Sequence, residues 1–529
     1  MLLMLAIALL SIAAICSRLG ILGWILNGLS LHIRDAPQVG GKKPFPSGPR
    51  AWPIIGHLHL LAKRPHQIIR DLSGKYGPVV GLQLGKLRAI AVCTPATAKE
   101  VLFTHDKIFA NRPYFQVNEQ FLYGRDTSVV FTSLCPAWRR NRKICTIALV
   151  TPRRMQQLEH IRSEEVSFLL REIYEESQGG RKSVELGRYV QLMTARLTLR
   201  MINSEARFVP GIEGLLEMIK EVEHEFSSPL IGDFIPALSF LDVWKKIRVR
   251  RIHRRMDSIL SALIVKRKQA MLNSSSSSFD DLLEVLLSKE ANQNGCAGSA
   301  AVEDALTVEE MKAILLEILG GGIITTALTI EWGLAELLKH PRCLQRLRKE
   351  IEEALPKKGN DLIREEDIAN VDFLKSVVKE VARLHPAVPM LVPRISTQEC
   401  EIGGYIIPPQ TLAFVNVWGI SRDESVWPNA LQFLPERFEG KDVELRGQHF
   451  ELLPFGSGRR ICMGLPLAVS MVGLTLANLI HHFDWQLPEG QTPETLNMDE
   501  SNGLNLNKAV LTMVVPKPRF MTTIANAPV

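Results

Sequence analysis

Phe455-Gly456-Ser457-Gly458-Arg459-Arg460-Ile461-Cys462-Met463-Gly464 is the stretch on which the reading of this chain turns. Three glycines surround one cysteine, and an apolar run from Leu467 to Ile480 follows at helical spacing. A cysteine delivered by such a loop to the start of a helix meets the positive end of the helix dipole, which lowers the thiol pKa and readies a thiolate for a metal. Gly458 and Gly464 would take turn angles closed to other residues and let the backbone approach a flat ligand. Arg460 offers paired donors for a carboxylate. A plain glycine turn around a buried cysteine accounts for one or two of these residues, not for the set.

Upstream, Thr307 opens the longest helix of the chain. Glu310 stands three residues later in a capping box, apolar spacing continues to about Leu338, and His340-Pro341 stops it. Gly320, Gly321 and Gly322 sit in its middle, where each costs ~1 kcal/mol relative to alanine. No Gly-Lys-Ser/Thr follows, so this is no phosphate loop. Unforced rule-breaking of this kind points to a functional site or to close packing. Thr325 and Thr326 come next, and their hydroxyls either serve that site or bond to a carbonyl one turn back. Residues Tyr76 to Val92 read as short strands, and from Thr94 helical signals dominate. A short helix, Asp280 to Leu287, lies between two polar loops, Asn273 to Phe279 and Ala291 to Ala305. Further strands are expected at Cys400 to Ile407 and Leu412 to Val417, before a proline-punctuated meander from Pro428 to Phe438. The sum is a mainly α fold with a small β region.

The 529 residues carry 63 basic and 56 acidic side chains, a net charge of +7, and no long basic run interleaved with aromatics stands out. Nucleic acid is not an expected partner. Eight cysteines are scattered with no CxxC pair, which fits a reducing compartment and argues against a zinc cluster. Residues 1–31 are apolar apart from Arg18, enough for a membrane anchor with one snorkelling arginine. A cleaved signal peptide is the competing reading, but the basic n-region is missing and the basic residues follow instead, at Arg34, Lys42 and Lys43. That asymmetry places the following domain in the cytosol. Residues 32–57 form a basic, proline-rich hinge, with Pro44, Pro46, Pro49 and Pro53 stiffening the backbone.

The pattern Phe-x-x-Gly-x-Arg-x-Cys-x-Gly resembles the heme-binding loop of the cytochrome P450 family, and other segments support the likeness from about residue 44 to about residue 515. The resemblance implies the cytochrome P450 fold, heme b as cofactor and residues 58–529 as a heme-thiolate catalytic domain. By the same likeness Cys462 is the iron ligand, with Phe455, Gly458 and Gly464 shaping its loop. A thiolate is the ligand that pushes electron density onto heme iron and favours O–O cleavage. Trp138, Arg142, Arg394 and Arg460 are implied contacts of the heme propionates. Glu380 and Arg383, spaced i, i+3 in Lys379-Glu380-Val381-Ala382-Arg383, are implied to join Arg437 of Pro435-Glu436-Arg437-Phe438 in a buried structural network. Arg139, Arg140 and Lys143 would suit docking of an acidic reductase.

Aligning on Thr329-Ile330-Glu331-Trp332 puts Thr325 at the family's oxygen-site threonine, with Thr326 beside it. Ile324 stands where the family usually has an acid, and isoleucine cannot relay protons. Either the threonines and water suffice, or another residue serves, or the reaction differs from simple hydroxylation. The wording around Pro46-Ser47-Gly48-Pro49 and Phe483-Asp484-Trp485 most resembles plant microsomal enzymes of specialised metabolism. That likeness implies a monooxygenase in the endoplasmic reticulum membrane, facing the cytosol. It would be supplied from NADPH by NADPH–cytochrome P450 reductase, and would act with O2 on a small lipophilic metabolite. Substrate contacts are expected from 109–134, 208–238, the region of Gly321 and 387–392. A heme-thiolate isomerase or dehydratase needing no external electrons, and a non-catalytic heme-binding protein, are the rival readings.

Overall fold

A computed structural model describes residues 44–204, 211–273, 281–290, 305–356 and 361–520. The expected anchor at 1–31, the first part of the hinge and most of the two polar loops lie outside the described residues.

The larger helices are α1 (Pro65–Tyr76), α2 (Pro136–Leu149), α3 (Glu159–Glu176), α4 (Leu186–Ile202) and α5 (Ile212–Phe226). They continue with α6 (Val243–Asn273), α7 (Val308–Lys339), α8 (Pro341–Ala354), α9 (Asp372–Leu384) and α10 (Leu465–His482). Helix α7 begins at the expected capping box: Thr307 Oγ1 accepts from the Glu310 N–H at 3.1 Å, and Glu310 Oε2 accepts from the Thr307 N–H at 2.9 Å. His340 caps its end, and Pro341 starts the next helix. Because α7 is apolar nearly all round, it can only be satisfied by burial on several sides. It crosses the core against α4, α9 and α10. Both α7 and α10 are long and apolar enough to cross a bilayer, yet 61% and 67% of their most apolar windows are covered by the protein itself. The short helix between the polar loops is Leu282–Leu287, capped by Asp281.

The small β region contains β1 (Val79–Leu84), β2 (Leu87–Val92), β3 (Val184–Glu185), β4 (Arg394–Ile395), β5 (Cys400–Ile402), β6 (Tyr405–Ile407), β7 (Leu412–Val415), β8 (Phe483–Gln486) and β9 (Met513–Pro518). One sheet runs β1-β2-β7-β4, a second β3-β9-β8, and β5 and β6 form a hairpin. Strands β2 and β7 pair in parallel, Ala89 opposite Leu412, which ties the start of the domain to the segment that carries Arg394. The described end of the hinge stretch is packed rather than free. Ser47 accepts from the Gly81 N–H at 2.9 Å, Gly56 bridges to Leu84, and a Cβ on Gly48 would lie 1.9 Å from the Gly81 carbonyl.

Candidate active site

Cys462 stands three residues before α10, with Gly464 as the helix N-cap and Pro466 in the first turn. Its own N–H bonds to the Phe455 carbonyl at 3.0 Å, closing the loop on itself. Cys462 keeps accessible surface, yet the protein crowds it enough that burial pushes the thiol pKa up. The backbone N–H groups of Gly464 and Leu465 and the charge of Arg142 pull it down. These are the groups expected to favour a thiolate at a helix start.

The glycines of the loop differ in their reasons. Gly458 has φ +69°, and a Cβ there would lie 2.2 Å from the Leu102 carbonyl, so both dihedral and packing demand glycine. Gly464 corrects the sequence expectation: its φ is −77°, open to any residue. What a side chain there would change is the approach to sulfur, since its Cβ would sit 3.8 Å from Cys462 Sγ.

Positive charge is concentrated around this loop. Arg394 and Arg460 are buried, and Arg112 and Arg142 are half-buried. Arg460 gives Nε to the Ala110 carbonyl at 2.8 Å, bonds the Val129 and Thr132 carbonyls, and lies 4.2 Å over the Trp138 ring. Trp138 donates its indole N–H to the same Val129 carbonyl at 2.9 Å, so its one donor is already engaged and its ring face carries the arginine. Arg142 Nη2 reaches the Ile461 carbonyl at 2.6 Å, directly beside the cysteine. Arg394 spans Asp106 at 3.4 Å and the Ser457 carbonyl at 3.1 Å. Arg112, which the sequence reading missed, donates to the Val130, Val392 and Pro393 carbonyls at 2.9, 2.6 and 2.8 Å. Burial, then mutual repulsion, lowers the Arg460 pKa to about 9, and burial lowers that of Arg394 to about 10. Arg112 is pushed down by burial, then by Arg394 and Arg460. Two carboxylates, Asp106 and Glu317, accompany these four guanidiniums. Glu317 was also missed, although a lone acid in the apolar stretch Ile314 to Leu319 was a visible signal. It accepts from Ser128 Oγ and from the N–H groups of Val129 and Val130, the same turn on which Arg112, Arg460 and Trp138 converge.

Glu317, Gly321 and Thr325 lie at i, i+4 and i+8, so one face of α7 looks toward this turn. A Cβ on Gly320 or Gly321 would meet nothing within 4 Å, whereas one on Gly322 would lie 3.1 Å from Thr198 Oγ1 of α4. The glycine triplet thus divides into two that leave open space and one that permits helix packing. Thr325 donates to the Gly321 carbonyl at 2.6 Å, the local bond one turn back, and its oxygen keeps acceptor capacity. Thr326 is buried, and Ile324, at 5% exposure, belongs to the apolar core.

Glu380 and Arg383 are fully buried and paired through two hydrogen bonds of 2.7 and 2.8 Å, with Arg437 Nε 3.0 Å from the same carboxylate. Arg383 also bonds the Ser421 and Ala430 carbonyls, lashing the end of α9 to the meander. Trp427, just before the meander, and Phe438 at its end share an apolar cluster with Phe455 and with Val469 of α10, so the network braces the cysteine loop. Arg140 departs from its expected place on a docking face, because it is tied to Glu310 and the Ala305 carbonyl; Arg139 and Lys143 remain exposed.

Among the described residues no group of three or more His, Cys, Asp and Glu is placed to hold a metal ion. A lone cysteine sulfur before a helix with several guanidiniums beside it instead fits an iron macrocycle that brings its own nitrogens and acid groups. The Cytochrome P450 family model matches residues 46–513. A flavonoid 3'-monooxygenase of Oryza sativa subsp. japonica is 37% identical over 91% of this chain and 92% of its own length. A germacrene A hydroxylase of Saussurea costus is 36% identical over 88% of this chain and 93% of its own. An amorpha-4,11-diene 12-monooxygenase of Artemisia annua is 36% identical, covering 90% and 92%. A zebra fish cytochrome P450 solved with progesterone superposes with a TM-score of 0.73 over 86% of this chain and 99% of its own, at 24% identity, a likeness of fold alone. The chain belongs to the cytochrome P450 family. It is a heme monooxygenase.

Proposed function

We propose that this enzyme inserts one oxygen atom into a small lipophilic plant metabolite, with Cys462 as the residue that would hold the heme iron and electrons passed from NADPH by NADPH–cytochrome P450 reductase. The observation that carries the reading is Cys462 at the start of α10 with the guanidinium of Arg142 bonded to the adjacent Ile461 carbonyl. When bound, heme supplies the iron at which O2 is reduced and split, one atom entering the substrate and the other leaving as water. Arg112, Arg142, Arg394 and Arg460 hold its two carboxylates, and Trp138 props Arg460 from below. Thr325 keeps a hydroxyl at the open face of α7, where it orients water and passes protons; buried Ile324 contributes none. The relatives named for flavonoid and for sesquiterpene substrates mark the two chemistries to try first.

A cavity of about 850 Å³ lies between residues 113–124, α6 and the edge of β4 and β7. Its walls include Tyr114, Gln116, Tyr123, His253 and Ile395 but neither Cys462 nor Thr325. It serves as the substrate's approach, within the 109–134 and 208–238 regions expected to contact it. Arg139 and Lys143 offer the reductase its basic face, and residues 1–31 anchor the chain in the endoplasmic reticulum with the domain in the cytosol.

The experiment is turnover of flavonoids and sesquiterpene hydrocarbons by the purified holoenzyme with reductase, NADPH and isotopically labelled O2. One labelled oxygen per product and loss of the ferrous carbon monoxide thiolate band in Cys462→Ala support the proposal. An unchanged band in that variant removes Cys462 from the iron. Product formed without NADPH consumption favours the second reading, an isomerase or dehydratase, which the buried Ile324 motivates.

A further inference from the structure

The cavity of about 850 Å³ stops short of the catalytic groups, since neither Cys462 nor Thr325 lines it. Tyr123, one of its walls, reaches toward α7. Its hydroxyl donates to Asp257 Oδ1 of α6 at 2.9 Å, and the same oxygen accepts from Lys312 Nζ of α7 at 2.7 Å. Lys312 Nζ also lies 5.6 Å from the centre of the Tyr123 ring. Burial, then the bond to Asp257, pushes the phenol pKa up, so the hydroxyl remains a donor. The loop, α6 and α7 therefore meet at one side chain.

Tyr123 is held there against its backbone preference. Its φ is +59°, in the left-handed region that L side chains disfavour, and Gly124 follows at φ +136°. A Cβ on Gly124 would meet only Thr127, at 3.9 Å, so the turn has room to move. A conformation of this kind persists where its surroundings over-determine it, and it is typical of clamps and switches. Here the Asp257–Lys312 pair supplies the constraint.

Beyond Tyr123, aromatic rings follow one another toward the heme side. His253 of α6 lies 4.9 Å from Tyr123 and 6.4 Å from Phe121. Phe121 lies 5.3 Å from Phe226 of α5, and Phe226 is 5.4 Å from Phe131 in a near-parallel stack at 16°. The Phe131 N–H bonds Ser128 Oγ at 2.7 Å, within the turn that Glu317 holds beside Arg460 and Trp138. A filled core would bury every ring of such a series. Phe121 is fully buried, but Tyr123, His253, Phe226 and Phe131 each keep accessible surface. Ring faces left open in a row offer offset and edge contacts to another π system.

We propose that Tyr123 is a specificity-determining gate that pivots at Gly124, and that the rings from His253 to Phe131 select a flat aromatic substrate over a bulky isoprenoid one. The inference rests on the reading of the cavity as the substrate's approach. With its bond to Asp257 made, the Tyr123 ring closes the wall between cavity and α7. When the bond breaks, the strained turn relaxes and the ligand passes. Asp257 and Lys312 act through Tyr123 as positioning residues.

The test follows the heme Soret shift of the full-length holoenzyme by stopped flow, on mixing with the flavone apigenin or with the sesquiterpene amorpha-4,11-diene. Wild type is expected to bind apigenin the more tightly. Tyr123→Phe keeps the ring and loses the latch, so apigenin association and dissociation both quicken, about fivefold for one hydrogen bond, while Kd stays within a factor of two. Asp257→Ala does the same. Tyr123→Ala also removes the first ring, and the preference for apigenin over the diene falls about fivefold. Unchanged rates in both Tyr123→Phe and Asp257→Ala overturn the gate. Tighter binding of the diene in wild type, or no shift with apigenin, overturns the substrate class. Labelled-oxygen turnover is scored separately: its absence in wild type removes the monooxygenase reading without altering the binding rates on which the gate is judged.

Discussion

Enclosing a guanidinium costs several kcal/mol unless opposite charge goes with it, and Arg460 goes in with Arg112, Arg142 and Arg394 as neighbours. On the proposed reading, the two propionates of heme would supply the missing counter-charge. Arg460→Met is therefore expected to weaken heme retention by ~2 kcal/mol, the worth of a charge-assisted hydrogen bond, and Arg460→Lys to recover part of it. Transfer of heme to a scavenging apoprotein measures both, and equal rates in wild type and Arg460→Met would remove the residue from the heme site. At Ile324 the expected gain runs the other way. Ile324→Asp restores an acid one residue before Thr325, so product formed per NADPH rises while the melting temperature falls, because a carboxylate enters an apolar core. Equal or poorer coupling, by product and NADPH assay, would show that proton delivery is not limiting. The placement of Cys462 just before a helix and the pairing of Glu380 with Arg383 were legible because each sits in a short local pattern. Arg112 was not, because its meaning lies in carbonyls at Val392 and Pro393, some 280 positions away in the chain.

Helix α7 shows how one sequence oddity resolves into two causes. Gly322 is held against α4, whose Thr198 hydroxyl is itself fixed to the Thr194 carbonyl at 2.8 Å and cannot retreat. Gly320 has no such neighbour. Gly320→Ala is expected to stabilise the protein by up to ~1 kcal/mol through helix propensity alone. Gly322→Ala should come out ~1–3 kcal/mol less stable than Gly320→Ala, the cost of overpacking. Thermal unfolding of the two variants decides it, and indistinguishable midpoints would contradict the packing argument. If the open face of α7 receives substrate, Gly320→Ala also reduces turnover of the bulkier substrates despite its added stability. The bounds of this helix were readable from Thr307, Glu310 and Pro341, since caps act within a few residues. The parallel pairing of β2 with β7 was not, because nothing local to Ala89 specifies Leu412.

At the scale of the whole molecule, one buried carboxylate joins segments from both ends of the chain. Glu500 accepts from His66 Nε2 at 3.0 Å and Gln67 Nε2 at 2.9 Å of α1, and from the Trp418 indole at 2.8 Å, with Arg422 at 3.6 Å. Burial opposes its ionisation, but His66, Arg422 and Trp418 outweigh that and hold its pKa at about 2. Glu336 of α7, also buried, is held at about 2 by hydrogen bonds from His340 and His385. A carboxylate whose pKa is depressed on folding stabilises the native state fully above its unfolded value, near 4.5, and loses that contribution as pH falls toward 2. Each shift corresponds to at most about 3 kcal/mol. The native state is thus expected to keep a constant contribution from these groups at neutral pH and to weaken steeply between about pH 5 and pH 2. Glu500→Gln supplies the control. The variant should be less stable than wild type at neutral pH, and the gap should close as acid protonates the wild-type carboxylate. Urea midpoints of the holoenzyme at several pH values, followed by tryptophan fluorescence, give both curves. If the two run parallel through the acid range, Glu500 is not the charged tie between the amino-terminal helix and the carboxyl-terminal segment that this geometry makes it.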